Sequence, residues 1–492
     1  MAKLNKDVIT LILKELYDKD NTLYPCLLVN RTWCETTVPI LWKNPFRYHL
    51  KKDAHIIIIN VILSYLSEES RDNLKSQGIK LPKTYQQPLL NYISFWKYLN
   101  LDVLERVIET FVTDTNKIII KPEIHILGLE IMNIFSRNTK FYFLRSFSHS
   151  SFFIFGTELC FSELESFCCN STTINNILAK ELAVLNTSFK KLIFDILYYN
   201  HNPGIIKLIE DQKNLKEVKF IYKCLPINNE SIIRPLEESL IKCADTIQYL
   251  RIDWKPVTKL FSYLVNLLSL EINAFGHKNW NHLEKISLPL LKYLKAQFFS
   301  SNILASLIEN TKGNLIEISI IYDRSDDEGR LIQAIYQNCP NLNYLKLSLF
   351  NENISEFENL LINCRILNGL EIYSTHEDQI NWKILFEVLT RSAPISLFKF
   401  KFIYFSIDSY LKIDLESLSL FLDNWKDRRS MLLQIFSLGD VLNVEQKRQH
   451  LLKLKDFLQK YKTKGVIKNY VTDGMGFEDF EWIQRKFHML YD

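Results

Sequence analysis

The sequence predicts an α/β chain: a three-helix N-terminal segment and a helical connector, followed by a repeat solenoid with a parallel sheet on its concave face. Three observations predict it. From residue 139 onward an apolar-x-x-apolar-x-apolar pattern recurs, with middle positions about 25 residues apart, the period of stacked strand–turn–helix units. The first 138 residues carry apolar side chains at steps of three and four instead, the helical spacing. Glycine and proline are scarce, 12 and 13 of 492 residues, which disfavours disorder and turn-rich all-β designs.

Composition narrows the classes further. Hydrophobic residues make up 47% and charged ones 24% of the chain, ordinary for globular protein and enough for a large core. A net charge of +4 is too balanced to point to a nucleic-acid or membrane partner. Nine cysteines without a CxxC pair fit a reducing compartment. The opening residues hold no apolar signal region, and the run Ile56–Leu66 is interrupted by Asn60 and Ser64, too short to span a bilayer. The expectation is a soluble intracellular protein, cytoplasmic or nuclear.

In chain order, residues 7–17 place Val8, Ile9, Ile12, Leu13 and Leu16 on one helical face, with Asn5 as N-cap. Asp18–Asn21 breaks that helix. A second helix is expected over Leu23–Val29 and a third from Asn30 to about Thr37, with Leu41 and Trp42 closing the segment. So short a segment has little core of its own, yet it is dense in large apolar residues. Residues 1–45 therefore read as a hook that docks on a partner. Residues 46–138 form the connector, with helices expected over Leu50–Leu66, Ser70–Gln77, Leu89–Leu99, Leu101–Phe111 and Ile124–Phe135, and a loop over Lys80–Pro88.

The repeats fill residues 139–437. Their middle positions are Leu144, Phe167, Leu192, Val218, Leu250, Leu270, Leu294, Ile318, Leu345, Leu370 and Phe398. Helical pieces such as Ile303–Ile308 and Leu331–Tyr336 lie between them. In such a strand the alternate residues project to the concave side: Lys219, Arg251, Glu271, Lys295, Ser319, Lys346, Glu371 and Lys399. They are the candidate substrate surface, mixed in charge with a basic excess. Residues 438–492 are expected to cap the open end, with a long basic helix over Val444–Tyr461 and a last strand over Val466–Val471.

Other chemistry-bearing residues have bland readings. Cys339 and Cys364 occupy equivalent repeat positions and read as small buried side chains at helix ends; a metal site would need two further ligands. Cys168 and Cys169 are expected to point one inward, one outward. His277 and His282 and the acidic run Asp323–Glu328 read as polar loop, and Gly474 and Gly476 lack phosphate-loop context. Nucleophile-elbow, HExxH and Walker patterns are absent from the sequence. No cofactor or metal is expected.

The N-terminal order resembles the F-box motif: an amphipathic helix, an acidic break, Leu27-Leu28-Val29, then Val29-Asn30-Arg31-Thr32-Trp33 and a closing Leu41-Trp42. The motif usually opens with Leu-Pro; here Leu4-Asn5 stands in that place. The repeats resemble the leucine-rich repeats of F-box proteins, though the asparagine usual after each strand is mostly missing and the interval from Val218 to Leu250 is the longest. The resemblance implies a non-enzymatic substrate-recognition subunit of a Skp–cullin–F-box ubiquitin ligase. The Skp adaptor would be held by Leu4, Asn5, Val8, Ile9, Ile12, Leu27, Leu28, Val29, Trp33, Leu41 and Trp42. Through that adaptor the chain would join the cullin and RING subunits, with a protein substrate on the repeats. The alternative is a leucine-rich-repeat scaffold without ligase work, its N-terminal helices simply capping the solenoid.

Overall fold

A computed structural model describes residues 4–17, 23–47, 52–82, 88–116, 121–146, 158–170, 182, 188–196, 203–222, 229–274, 280–321, 328–374, 380–405, 413–438 and 444–472. The break at Asp18–Asn21, the loop tip at 83–87, His277, Asp323–Asp327 and the glycines at 474 and 476 lie outside them, as do the side chains of His282 and Glu328. The fold is α/β: a parallel sheet whose strands follow one another in chain order, alternating with helices. It divides into two units, one of residues 1–224 with 238–246, the other of residues 225–237 with 247–492.

The first unit opens with helix α1 (Lys6–Leu16), a single 3-10 turn over Pro25–Leu28 and helix α2 (Arg31–Leu41). Both caps are asparagines, whose side chains can satisfy an amide left open at a helix start. The Asn5 side chain accepts from the Asp7 amide at 3.4 Å and Asn30 from the Trp33 amide at 3.0 Å. The third helix thus starts one residue after the expected Asn30, which caps it, and runs past Thr37 to Leu41. Pro39 has no amide hydrogen to donate back to Glu35, and the helix tolerates it within its last turn. The expected second helix is reduced to the 3-10 turn.

Four helices follow: α3 (Lys52–Leu63), α4 (Glu68–Ser76), α5 (Leu101–Asn116) and α6 (Lys121–Asn138). The stretch Leu89–Leu99 is not the expected helix. It makes a 3-10 turn over Tyr92–Phe95 and then strand β1 (Tyr98–Asn100). The sheet therefore begins inside the connector and continues through β2 (Phe143–Ser146), β3 (Ser166–Asn170), β4 (Lys191–Ile196) and β5 (Glu217–Tyr222), each parallel to the last. Cys168 and Cys169 are consecutive on β3, which sets them on opposite faces of the sheet, and both are buried. The larger Arg145 and Ile193 stand beside Cys168 on the neighbouring strands.

The second unit holds β6 (Tyr249–Ile252), β7 (Ser269–Asn273), β8 (Tyr293–Gln297), β9 (Glu317–Ile321), β10 (Tyr344–Ser348), β11 (Gly369–Tyr373), β12 (Lys399–Phe405), β13 (Met431–Leu438) and β14 (Ile467–Val471). All pair in parallel. The segment expected as a cap thus extends the sheet by one strand, with a register shift at Met431/Leu432. One side of β6 to β12 is core: Leu250, Leu270, Leu294, Ile318, Leu345, Leu370 and Phe400 are buried, as are the residues two further on. The register pairs Leu370 with Phe400, so Phe400, not Phe398, is the middle position of that repeat. Cys339 and Cys364 lie buried at helix ends, and burial raises both thiols, that of Cys364 to about 12.

Successive repeats are joined by a backbone device. At many of these steps the carbonyl before a strand accepts two amides of the next repeat. In the second unit Leu268 accepts from Lys292 and Tyr293 at 2.8 and 3.0 Å, and Lys292 from Ile316 and Glu317 at 2.8 and 3.1 Å. In the first unit Lys97 accepts from Tyr142 and Phe143, and Tyr142 from Glu165 and Ser166. Buried carbonyls need such partners, and here they fix the stacking register without an asparagine ladder.

Candidate partner-docking surfaces

The hook's core is made of Ile9, Leu13, Leu23 and Cys26, with Leu16, Tyr17, Trp33, Ile40 and Leu41 packed around it. Glu35 on α2 holds Lys6 of α1 at 3.3 Å and Arg31 at 2.9 Å. Hydrogen bonds from Arg31 and then Lys6 hold its carboxyl below the usual range.

The eleven candidate docking residues divide by burial. Ile9 is core, and Ile12, Leu27, Trp33, Leu41 and Trp42 are half-buried. Leu4, Asn5, Val8, Leu28 and Val29 are exposed, Leu28 by 88%. Two further exposed apolar side chains, Leu11 and Tyr24, went unread in the sequence. Val8 and Leu11 lie three residues apart on one side of the first helix, and Leu4 lies just ahead of its cap, Asn5. That spacing was the available signal. Leu28 and Val29 sit where the 3-10 turn passes into α2, with Tyr24 at its start.

Trp42 has another position. Its ring meets Tyr92 at 4.8 Å and Trp96 at 6.4 Å between centroids, and Trp96 meets Phe46 at 5.0 Å and Phe135 at 5.1 Å. Phe135 then meets Phe141 at 5.4 Å. This aromatic series runs from the end of α2 into the first repeats. The Lys43 carbonyl also accepts the Lys97 and Tyr98 amides at 2.9 and 3.2 Å, the same two-amide pattern as between repeats. The hook's last turn thus takes the place of a repeat ahead of β1, which rigidly mounts the exposed residues.

On the open side of the second unit's sheet, register aligns Arg251, Glu271, Lys295, Ser319, Lys346, Glu371 and Lys401 into one row across β6 to β12. Lys399, expected in this row, sits one step earlier beside Gly369, and Lys401 takes its place. The run Phe398-Lys399-Phe400-Lys401-Phe402 alternates in either register, so only pairing decides. The row is an ion-pair ladder. Glu271 holds Arg251 at 3.0 Å and Lys295 at 2.6 Å; Glu371 holds Lys346 at 2.6 Å and Lys401 at 3.4 Å. Burial pushes the Glu371 carboxyl up, but Lys346 and Lys401 outweigh it and hold it low. Lys219, in the first unit, pairs with Glu217 at 2.9 Å, which also holds Lys191 at 3.1 Å.

One step earlier along the strands lie Tyr293, Glu317 and Tyr344, side by side. Glu317 is 4% exposed and its Oε2 has no hydrogen-bond partner. Burial pushes its carboxyl up to about 7, against the pull of Lys295. Among the described residues no group of three or more His, Cys, Asp or Glu side chains is placed to hold a metal, and no helix is long and apolar enough to cross a membrane.

No protein-family model and no curated protein matches the chain. Among solved structures it is similar to a chain in the crystal structure of a Rad7–Elc1 complex in yeast. The identity is 12% and the TM-score 0.38, over 70% of this chain and 94% of that one.

Proposed function

We propose that the chain is a substrate-recognition adaptor of an SCF-type cullin–RING ubiquitin ligase, its N-terminal helices docking on a Skp adaptor and its repeats holding a protein substrate. The observation that carries this reading is the exposed apolar set Leu4, Val8, Leu11, Tyr24, Leu28 and Val29 in a segment that already has its own core. A set of exposed large apolar side chains in so short a segment points to a surface that a partner covers. The F-box-like order Val29-Asn30-Arg31-Thr32-Trp33 with Leu41-Trp42 names the class of partner. The chain's contribution to ubiquitin transfer is then proximity: a substrate held near a loaded conjugating enzyme reacts as if at high concentration, and the bond-forming groups belong to other subunits.

A second reading is supported by the Lys43 carbonyl and the Trp42–Trp96 contact. Both are what a capping segment needs, so the hook could serve a repeat scaffold without ligase work. Titration of the full chain with a purified Skp adaptor separates the two. Saturable binding that is lost in Leu28→Asp supports the ligase reading, and absence of binding by the folded chain supports the scaffold.

A further inference from the structure

The charge row on the second unit's sheet has one interruption. Arg251, Glu271 and Lys295 alternate in sign, as do Lys346, Glu371 and Lys401, but between them stands Ser319. We propose that the place over Ser319, between Lys295 and Lys346 and beside Glu317, receives one acidic side chain of a protein partner. The proposal rests on the reading of this strand face as the substrate surface and names the chemistry it selects.

Geometry provides the room. Neighbouring strands stand about 4.8 Å apart, so the two lysine backbones are roughly 9.5 Å apart, which leaves room over the small Ser319 side chain for one carboxylate. Both lysines lean away from Ser319, toward Glu271 and Glu371. Each of those acids has other support: Glu271 from Arg251 at 3.0 Å, Glu371 from Lys401 and from the Tyr344 hydroxyl at 2.8 Å. An ammonium carries three donors, so each lysine can share itself with an incoming carboxylate without stranding its present partner. Glu317 supplies the second observation. It stands two residues before Ser319 on the same face of β9, buried, with an oxygen lacking any hydrogen-bond partner. Facing it are Tyr293 and Lys295 from β8, Tyr344 and Lys346 from β10, and Ser319 from its own strand. In its neutral form it offers an O–H to a ligand carboxylate; ionised, it repels one.

The test uses the full chain and a fluorescein-labelled peptide of alternating glutamate and glycine, with its glutamine counterpart as control, read by anisotropy. The acidic peptide should bind at least about tenfold tighter than the neutral one. Affinity should fall as pH rises from about 6 to about 8, because Glu317 loses its proton near 7. Ser319→Glu places the chain's own carboxylate in the slot and should weaken binding at least about tenfold, while Ser319→Ala stays within about threefold. Glu317→Gln should bind equally at both pH values, and it decides the matter should Ser319→Glu lose the wild-type unfolding transition. Wild-type affinity in Ser319→Glu, equal binding of the neutral peptide, or a pH dependence that survives in Glu317→Gln overturns the proposal. So does tighter binding of a single-stranded oligonucleotide that Ser319→Glu abolishes. Leu28→Asp should leave peptide binding unchanged, so failure here and failure of adaptor docking are distinguishable.

Discussion

Replacing Leu28 by aspartate separates docking from folding, because this side chain is 88% exposed and belongs to no core. Covering a leucine on association contributes roughly 2 kcal/mol. A carboxylate in its place adds a desolvation cost of about 2 kcal/mol. Together these predict an affinity loss of about 4 kcal/mol, roughly a thousandfold in Kd for a Skp adaptor. Folding should change by less than about 0.5 kcal/mol, as for other exposed positions. The assay is calorimetric titration of wild type and variant, with thermal unfolding followed in parallel. An affinity within threefold of wild type, with unfolding unchanged, refutes the reasoning that Leu28 is at the interface. Trp33→Ala is a poorer probe, since Trp33 packs against the hook's own core.

Other perturbations test other parts of the account. Trp96 is fully buried among Trp42, Phe46 and Phe135, so Trp96→Ala should cost about 3–5 kcal/mol and speed proteolysis between the hook and β1, as seen by limited digestion. Glu237, completely buried, accepts from the Trp254 indole at 3.0 Å and from the Val257 and Thr258 amides at 3.1 and 2.7 Å. Glu237→Ala strands these donors and should lower denaturant stability by about 3 kcal/mol or more. Glu317 sets a pH dependence whose sign is fixed. Unfolded, it loses its proton near 4.5, and folded near 7, so the unfolded state binds fewer protons between these values. Stability should fall as pH rises through that window, by about 3 kcal/mol at most, and level off above it; Glu317→Gln should remove the slope in urea titrations.

The repeats were legible because their signal is local: an apolar spacing of three and two that recurs. What was missed depends on distant partners. Tyr98-Leu99-Asn100 looks like the end of a helix by pattern, and becomes a strand because Lys43 accepts its leading amides and Phe143 stands beside it. The Phe398–Phe402 run has period two throughout, so its register was set by Leu370 across the sheet and not by anything within it. In the hook, the apolar residues were identifiable but their division was not. Ile9 and Val8 are neighbours in sequence, one buried and one exposed, and only the position of α2 decides which. The interrupted charge row was half visible as a list of residues; its meaning needed the strand register that places Ser319 between two lysines.

If the exposed apolar residues of the N-terminal segment form an adaptor interface, a bound Skp adaptor must cover them. Amide hydrogen exchange of the full chain, with and without a Skp adaptor, tests it most directly. Exchange should slow at Leu4–Leu11 and Tyr24–Val29 on adding the adaptor, with the strands of the second unit unaffected. Unchanged exchange in both segments, with adaptor at saturating concentration, would contradict it.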